Sequence, residues 1–324
     1  MYDNYSKAPH LDSVTENFIE ELKRMGGKPL YELTPEEARK FLLDIQSGGH
    51  KEVHADITDV EIPTEAEGSV RVRFVRPENY NESLPVILYF HGGGWIMGDE
   101  KTHDFIIKNL AVCTNSVVAF VNYSRSPEAV YPKALNQVYG VLKYLYQNPE
   151  EFNIDSDRIV VAGDSAGGNL ATVVALRALR EGGPKILFQA LLYPVTDANM
   201  DSESYKIFKD GPYLTRKAME YFWDAYLPDK NYKDDMYVSP LRACIEDLVS
   251  MPPALIITAE NDVLRDEGEA YARKLDAASV HVSCVRINMT IHDFMMLNPL
   301  QNSKAAKAAF ALLCGILNHR LHNL

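Results

Sequence analysis

Gly163-Asp-Ser-Ala-Gly-Gly-Asn169 sets one serine among small residues, directly after one apolar run and before another. The run before it, Ile159-Val-Val-Ala162, reads as a buried strand, and residues 167–180 read as a helix. A serine on a sharp strand-to-helix turn takes an unfavourable backbone conformation, so its neighbours must be small. Gly163-x-Ser165-x-Gly167 in that setting is the pattern of a serine raised above a sheet edge, near the positive end of the next helix. Alone, the pattern does not separate a reactive turn from a glycine-rich helix start. A phosphate-binding loop is excluded, because Asn169 stands where such a loop needs lysine.

The flanking sequence decides the fold class. Apolar runs recur at Pro85–Phe90, Val117–Val121, Ile186–Leu192 and Ala254–Thr258, with helical stretches near 134–147, 266–277 and 302–318. Continuous apolar strands alternating with helices predict an α/β protein with a mostly parallel central sheet covered by helices on both faces. Val70–Val75 alternates and reads as a half-exposed strand; residues 281–287 read as a late strand. Two amphipathic helices open the chain. Ser13-Val-Thr-Glu16 is read as one capping box, and Thr34-Pro-Glu-Glu37 as another with proline at the first helical position. Residues 198–250 break the alternation, are rich in Tyr, Asp and Lys, and read as an insertion folded over the sheet.

Composition narrows the function. The 324 residues are 46% hydrophobic and 24% charged, ordinary for a globular protein. A net charge of −12 argues against nucleic acid as a partner. No apolar run is long enough for a membrane span. The opening MYDNYSKAPH lacks a basic start followed by an apolar stretch, which predicts no secretory leader. Cys113, Cys244, Cys284 and Cys314 are scattered without a zinc-like spacing, and are read as reduced, mostly buried thiols in the cytoplasm. No metal or organic cofactor is implied.

A serine hydroxyl needs a base and an oxyanion site to act as a nucleophile. His91-Gly-Gly-Gly-Trp95, after the strand ending at Phe90, supplies a loop whose backbone N–H groups can approach a developing oxyanion. Among the nine histidines, His10, His319 and His322 sit near the termini, and His50 and His54 read as surface residues. His103 precedes the serine and His281 lies in a strand-like alternation. His292 follows the late strand and is the base this order selects. Asp262, just after the strand 254–258, is the acid; Glu260 and Asp266 are its competitors. Asp293 is read as poorly placed to reach the histidine ring, although its charge should raise the histidine's pKa.

HGGGW, GDSAGGN, Asp262-Val-Leu-Arg-Asp-Glu267 and His292-Asp-Phe294, in this order, resemble the hormone-sensitive-lipase-like family of α/β-hydrolase carboxylesterases. The similarity runs from about residue 60 to the C-terminus. It implies an α/β-hydrolase fold with a helical cap. Residues 1–60 would be cap helices and lead-in, 61–197 and 251–324 the catalytic body, and 198–250 a cap insertion. It further implies Ser165 as nucleophile, His292 as base, Asp262 as the acid that orients it, and the N–H groups of Gly93, Gly94 and Ala166 as the oxyanion hole. His91 would shape the loop without transferring a proton, and Trp95 is the pocket residue expected beside the glycines. Of Tyr205, Phe208, Tyr213, Tyr221, Phe222 and Trp223, more than half are expected to hold the cap on the body. Three positions depart from the family: Val263 for proline, Asp293 for glycine, and Tyr123-Ser-Arg-Ser-Pro-Glu128 in place of Tyr-Arg-Leu-Ala-Pro-Glu. The expected activity is hydrolysis of short- to medium-chain carboxylic esters through an acyl-enzyme. An amide hydrolase such as an arylformamidase uses the same oxyanion chemistry, and a non-catalytic small-ligand receptor is a third use of the fold. A homodimer is a family expectation.

Overall fold

The structure, a computed structural model, describes residues 10–48, 52–65, 67–80 and 82–323. The opening nine residues and His50, both weighed above, lie outside that range.

Eight strands form one sheet: β1 (Asp56–Thr64), β2 (Gly68–Arg76), β3 (Leu84–Phe90), β4 (Val117–Val121), β5 (Ile154–Asp164), β6 (Phe188–Leu192), β7 (Ala254–Asn261) and β8 (Val282–Ile291). Their order is β1-β2-β4-β3-β5-β6-β7-β8. The first two joins are antiparallel and every later one is parallel. The parallel strands β3, β4 and β6 are buried along their whole length, which explains why they read as unbroken apolar runs. β1 carries three acidic residues, Asp56, Asp59 and Glu61, and is mostly exposed, so its apolar signal is too weak to stand out in the sequence. It pairs residue for residue with β2 and places the sheet's start at Asp56.

The helices are α1 (Ser13–Met25), α2 (Pro35–Gln46), α3 (Asp104–Thr114), α4 (Lys133–Gln147), α5 (Ala166–Glu181), α6 (Glu203–Ile207), α7 (Arg216–Tyr226), α8 (Ile245–Leu248), α9 (Arg265–Ala277) and α10 (Lys304–His322). The expected capping box at Thr34 forms in both directions. At α1 the cap is one residue earlier than expected. Asp12 accepts from the N–H groups of Val14 and Thr15, so Ser13 lies inside the helix. A carboxylate there also complements the positive helix end, which a serine does not.

The cysteine expectation is corrected. Cys113 on α3 and Cys314 on α10 form a disulfide, and Cys244 and Cys284 are exposed. The bonded pair is separated by 201 residues, and only the packing of α10 against α3 brings the two sulfurs together. Sequence spacing carries no trace of such a pair. Among the described residues, no helix is long and apolar enough to cross a membrane.

Candidate active site

β5 ends at Asp164 and α5 begins at Ala166, leaving Ser165 in the turn with φ 53° and ψ −117°. This is a strained backbone for a residue with a Cβ. The turn closes only because its neighbours are glycine. A Cβ on Gly163 would run into the Gly167 carbonyl, and one on Gly167 into the Phe90 carbonyl.

The parallel sheet brings three loop residues together at one end. Asp262 follows β7, His292 follows β8, and both meet Ser165. His292 Nδ1 lies 2.7 Å from Asp262 Oδ2, and His292 Nε2 lies 2.8 Å from Ser165 Oγ. An ionised carboxylate only accepts hydrogen bonds, so Nδ1–H donates to Asp262, and in the neutral imidazole Nε2 then accepts from the serine hydroxyl. The second Asp262 oxygen accepts from the Leu264 N–H at 3.0 Å. The competitors are engaged elsewhere: Glu260 accepts from the Met289 N–H, and Asp266 from the Ser204 N–H and Arg265. Burial pulls the His292 pKa down, but the carboxylates of Asp262 and Asp293 outweigh it and hold it up at about 9.

Asp293 departs from expectation. Its φ is 64°, a left-handed turn that folds its carboxylate back against the ring just before it. Asp293 Oδ1 ends 3.3 Å from His292 Nε2. Burial pushes the Asp293 carboxyl up to about 6, against the pull of His292. Tyr193, after β6, packs edge-on to the His292 ring at 5.0 Å between centroids. No motif in the sequence marks Tyr193.

Gly93 and Gly94 stand beside Ser165 on the wall of one cavity, and Ala166 is buried at the start of α5. The Gly93 carbonyl accepts from the N–H groups of Ile96 and Met97, so the loop closes as a tight turn. His91 is buried and stacks on Tyr123, with ring centroids 4.1 Å apart. Burial and neighbouring His103 pull the His91 pKa down to about 3, so it is neutral.

Asp164, the one residue of the serine motif whose part the sequence leaves open, is wholly buried. The Tyr89 hydroxyl donates to its Oδ1 at 2.7 Å, and His103 Nε2 lies 3.3 Å from its Oδ2. Burial opposes its ionisation, but His103 and Tyr89 hold its pKa below the usual carboxylate range.

Trp95 does not face the cavity. It is fully buried and stacks flat on Tyr226 at 4.2 Å, with Trp223 tilted against it at 4.7 Å. Its left-handed backbone, φ 57°, turns the indole away from the glycines next to it. Of the six aromatic residues named from 198–250, Tyr213 and Phe222 line the cavity over Ser165 and the other four do not.

The cavity has a volume of about 690 Å³. Ser165, His292 and Asp293 form its floor, and α1, α2 and α7 form its walls through side chains such as Ile19, Leu22, Phe41 and Phe222. Arg39 of α2 fixes this wall to the glycine loop, donating to the Ile96 carbonyl and pairing with Glu128 through two nitrogens.

Residues 87–296 match the family model for the alpha/beta hydrolase fold. The chain belongs to this family, and within it to the hormone-sensitive-lipase-like carboxylesterases. It is a serine hydrolase of carboxylic esters. The crystal structure of a thermostable esterase from Pseudomonas putida superposes with a TM-score of 0.95 at 44% identity, covering 97% of this chain and 99% of that one. A putative alpha/beta hydrolase of Acanthamoeba polyphaga mimivirus is 40% identical over 94% of this chain and 86% of its own length. An ethyl acetate hydrolase of Pseudomonas putida is 33% identical over 86% of this chain and 90% of its own length.

Proposed function

We propose that the enzyme cleaves short- to medium-chain carboxylic esters with Ser165 as nucleophile, His292 as general base and then acid, and Asp262 as the group that orients the imidazole. The observation that carries this reading is the unbroken relay Asp262–His292–Ser165, at 2.7 and 2.8 Å, opening on the cavity of about 690 Å³. Ser165 Oγ attacks the ester carbon while its proton passes to His292 Nε2. The tetrahedral intermediate places its negative oxygen toward the N–H groups of Gly93, Gly94 and Ala166. Collapse breaks the bond to the alcohol oxygen, which takes the proton from Nε2. Water, deprotonated by the same nitrogen, then releases the acid and regenerates the serine.

The cavity supports the chain-length assignment. Its walls are mostly apolar and offer room for a small acyl group and its alcohol, and α1, α2 and residues 198–250 act as the cap that bounds it. An ethyl ester of acetic acid is the substrate in the name of one relative, and such an ester fits this chemistry. The test is a profile of p-nitrophenyl esters from acetate to dodecanoate, with Ser165→Ala as blank. Activity should peak at short or medium chains and vanish in the variant. Hydrolysis that survives in Ser165→Ala, or that grows steadily toward dodecanoate, overturns the assignment.

A further inference from the structure

We propose that Asp293 is a specificity-determining carboxylate that favours esters of cationic alcohols and disfavours esters whose alcohol carries a carboxylate. The proposal rests on the reading of Ser165, His292 and Asp262 as the reacting groups.

Three observations converge on this residue. Asp293 occupies a left-handed backbone, φ 64°, that a glycine would adopt without strain. Its side chain is 10% exposed, and its buried Oδ1 makes no hydrogen bond among the described residues, although it stands in ion-pair contact with His292 Nε2 at 3.3 Å. It also lines the substrate cavity, 3.3 Å from the nitrogen that protonates the leaving alcohol. A buried carboxyl with one oxygen making no hydrogen bond, on a strained backbone, is an unfavourable element of a folded chain. Here the carboxylate faces His292 on one side and the substrate cavity on the other, where a cationic group of the substrate can add a second partner.

Its position fixes which part of the substrate meets it. The alcohol oxygen must come to His292 Nε2 to receive its proton, so the first carbons of the alcohol pass Asp293. A positive charge about two carbons beyond that oxygen falls beside the carboxylate. Besides His292, whose imidazole is in contact with Asp293, the other charged side chains on the cavity wall, Lys23, Lys28 and Asp210, are exposed and screened by solvent. Asp293 is 7% exposed, where attraction and repulsion are strong. The buried groups behind it, Asp262, Asp164 and His103, are already paired.

The experiment compares acetylcholine with 3,3-dimethylbutyl acetate, which has the same shape with carbon in place of the charged nitrogen, and 4-acetoxybutanoate with butyl acetate. Each pair is assayed in wild type, Asp293→Asn and Asp293→Gly at about pH 8, above the range where Asp293 takes up a proton. Each ratio of kcat/KM is taken within one enzyme, so a general change in activity cancels. The cation-to-neutral ratio should fall by about tenfold or more in both variants, and the anion-to-neutral ratio should rise by a similar factor. Glycine suits the local backbone, so this variant guards against a folding artefact. Ratios that stay within about twofold of wild type, while all three enzymes hydrolyse the neutral esters, overturn the role of Asp293 alone. Neutral esters untouched by wild type, or equally hydrolysed by Ser165→Ala, overturn the underlying catalytic reading instead.

Discussion

Asp164 and His103 form a wholly buried pair behind Ser165, with Oδ2 and Nε2 3.3 Å apart. Asp164 is the residue before Ser165, and a Cβ on Gly92 of the glycine loop would strike its carboxylate. Tyr89 of β3 holds its other oxygen. One carboxylate therefore ties together the sheet, the serine turn and the glycine loop. Removing one partner of a buried pair strands the other, at a cost of about 3–5 kcal/mol. Asp164→Ala should lower stability by that order in chemical denaturation. If enough folded enzyme is recovered, kcat should fall about tenfold or more with KM changed far less, because both the serine and the oxyanion donors lose their support. Asp164→Ala with wild-type stability would show that the pair contributes nothing to the turn.

The pH dependence follows from the groups around the base. Asp262, Asp293 and Asp164 raise the His292 pKa against the opposing effect of burial, to about 9. A general base works only when unprotonated, so kcat/KM should climb with pH through the mildly alkaline range, well above the ordinary histidine value of about 6.5. The sign is set by the carboxylates: taking one away lowers the pKa. Asp293→Asn should move the rising limb toward lower pH in a pH–rate profile on a neutral ester. A limb that stays in place would mean that Asp293 does not act on the base.

Much of this was legible in the sequence, and the boundary has a physical cause. The parallel strands announce themselves because both faces are buried, and the serine turn because its geometry excludes side chains. Ser165, Asp262 and His292 meet because a parallel sheet gathers its loops at one end. What stayed hidden depends on contacts between distant residues. Nothing in the spacing of Cys113 and Cys314 shows that α3 and α10 pack together. Trp95 is next to Gly93 and Gly94 in sequence, but it has a left-handed backbone and stacks on Tyr226. Asp293 fails the same way: adjacency suggested that its carboxylate could not reach back, and a positive φ let it.

Gly94 is the position where the glycine loop meets α7. Its φ is 61°, and a Cβ there would strike the ring of Phe222 on α7. Gly94→Ala therefore either pushes α7 outward or displaces the loop N–H groups from the oxyanion. Loss of one oxyanion donor costs about 10²–10³ in kcat. The expected result is a fall of about 100-fold or more in kcat on p-nitrophenyl butyrate, with the fold retained by circular dichroism. A variant with wild-type kcat would show that this glycine is dispensable to the chemistry.

Trp95 carries the last prediction. If the indole anchors α7 to the body, its loss is a packing loss, not a change in a substrate contact. The side chain is fully buried between Tyr226 and Trp223, so truncation opens a cavity beneath α7. Deleting a buried aromatic typically costs about 3–5 kcal/mol. Trp95→Ala should therefore lower the unfolding free energy by that order. It should also broaden the acyl-chain profile, because a loosened α7 carries Phe222 away from the cavity wall. Trp95→Phe, which keeps a ring against Tyr226, should recover most of both. A Trp95→Ala enzyme of unchanged stability but altered chain preference would instead place the indole in contact with substrate.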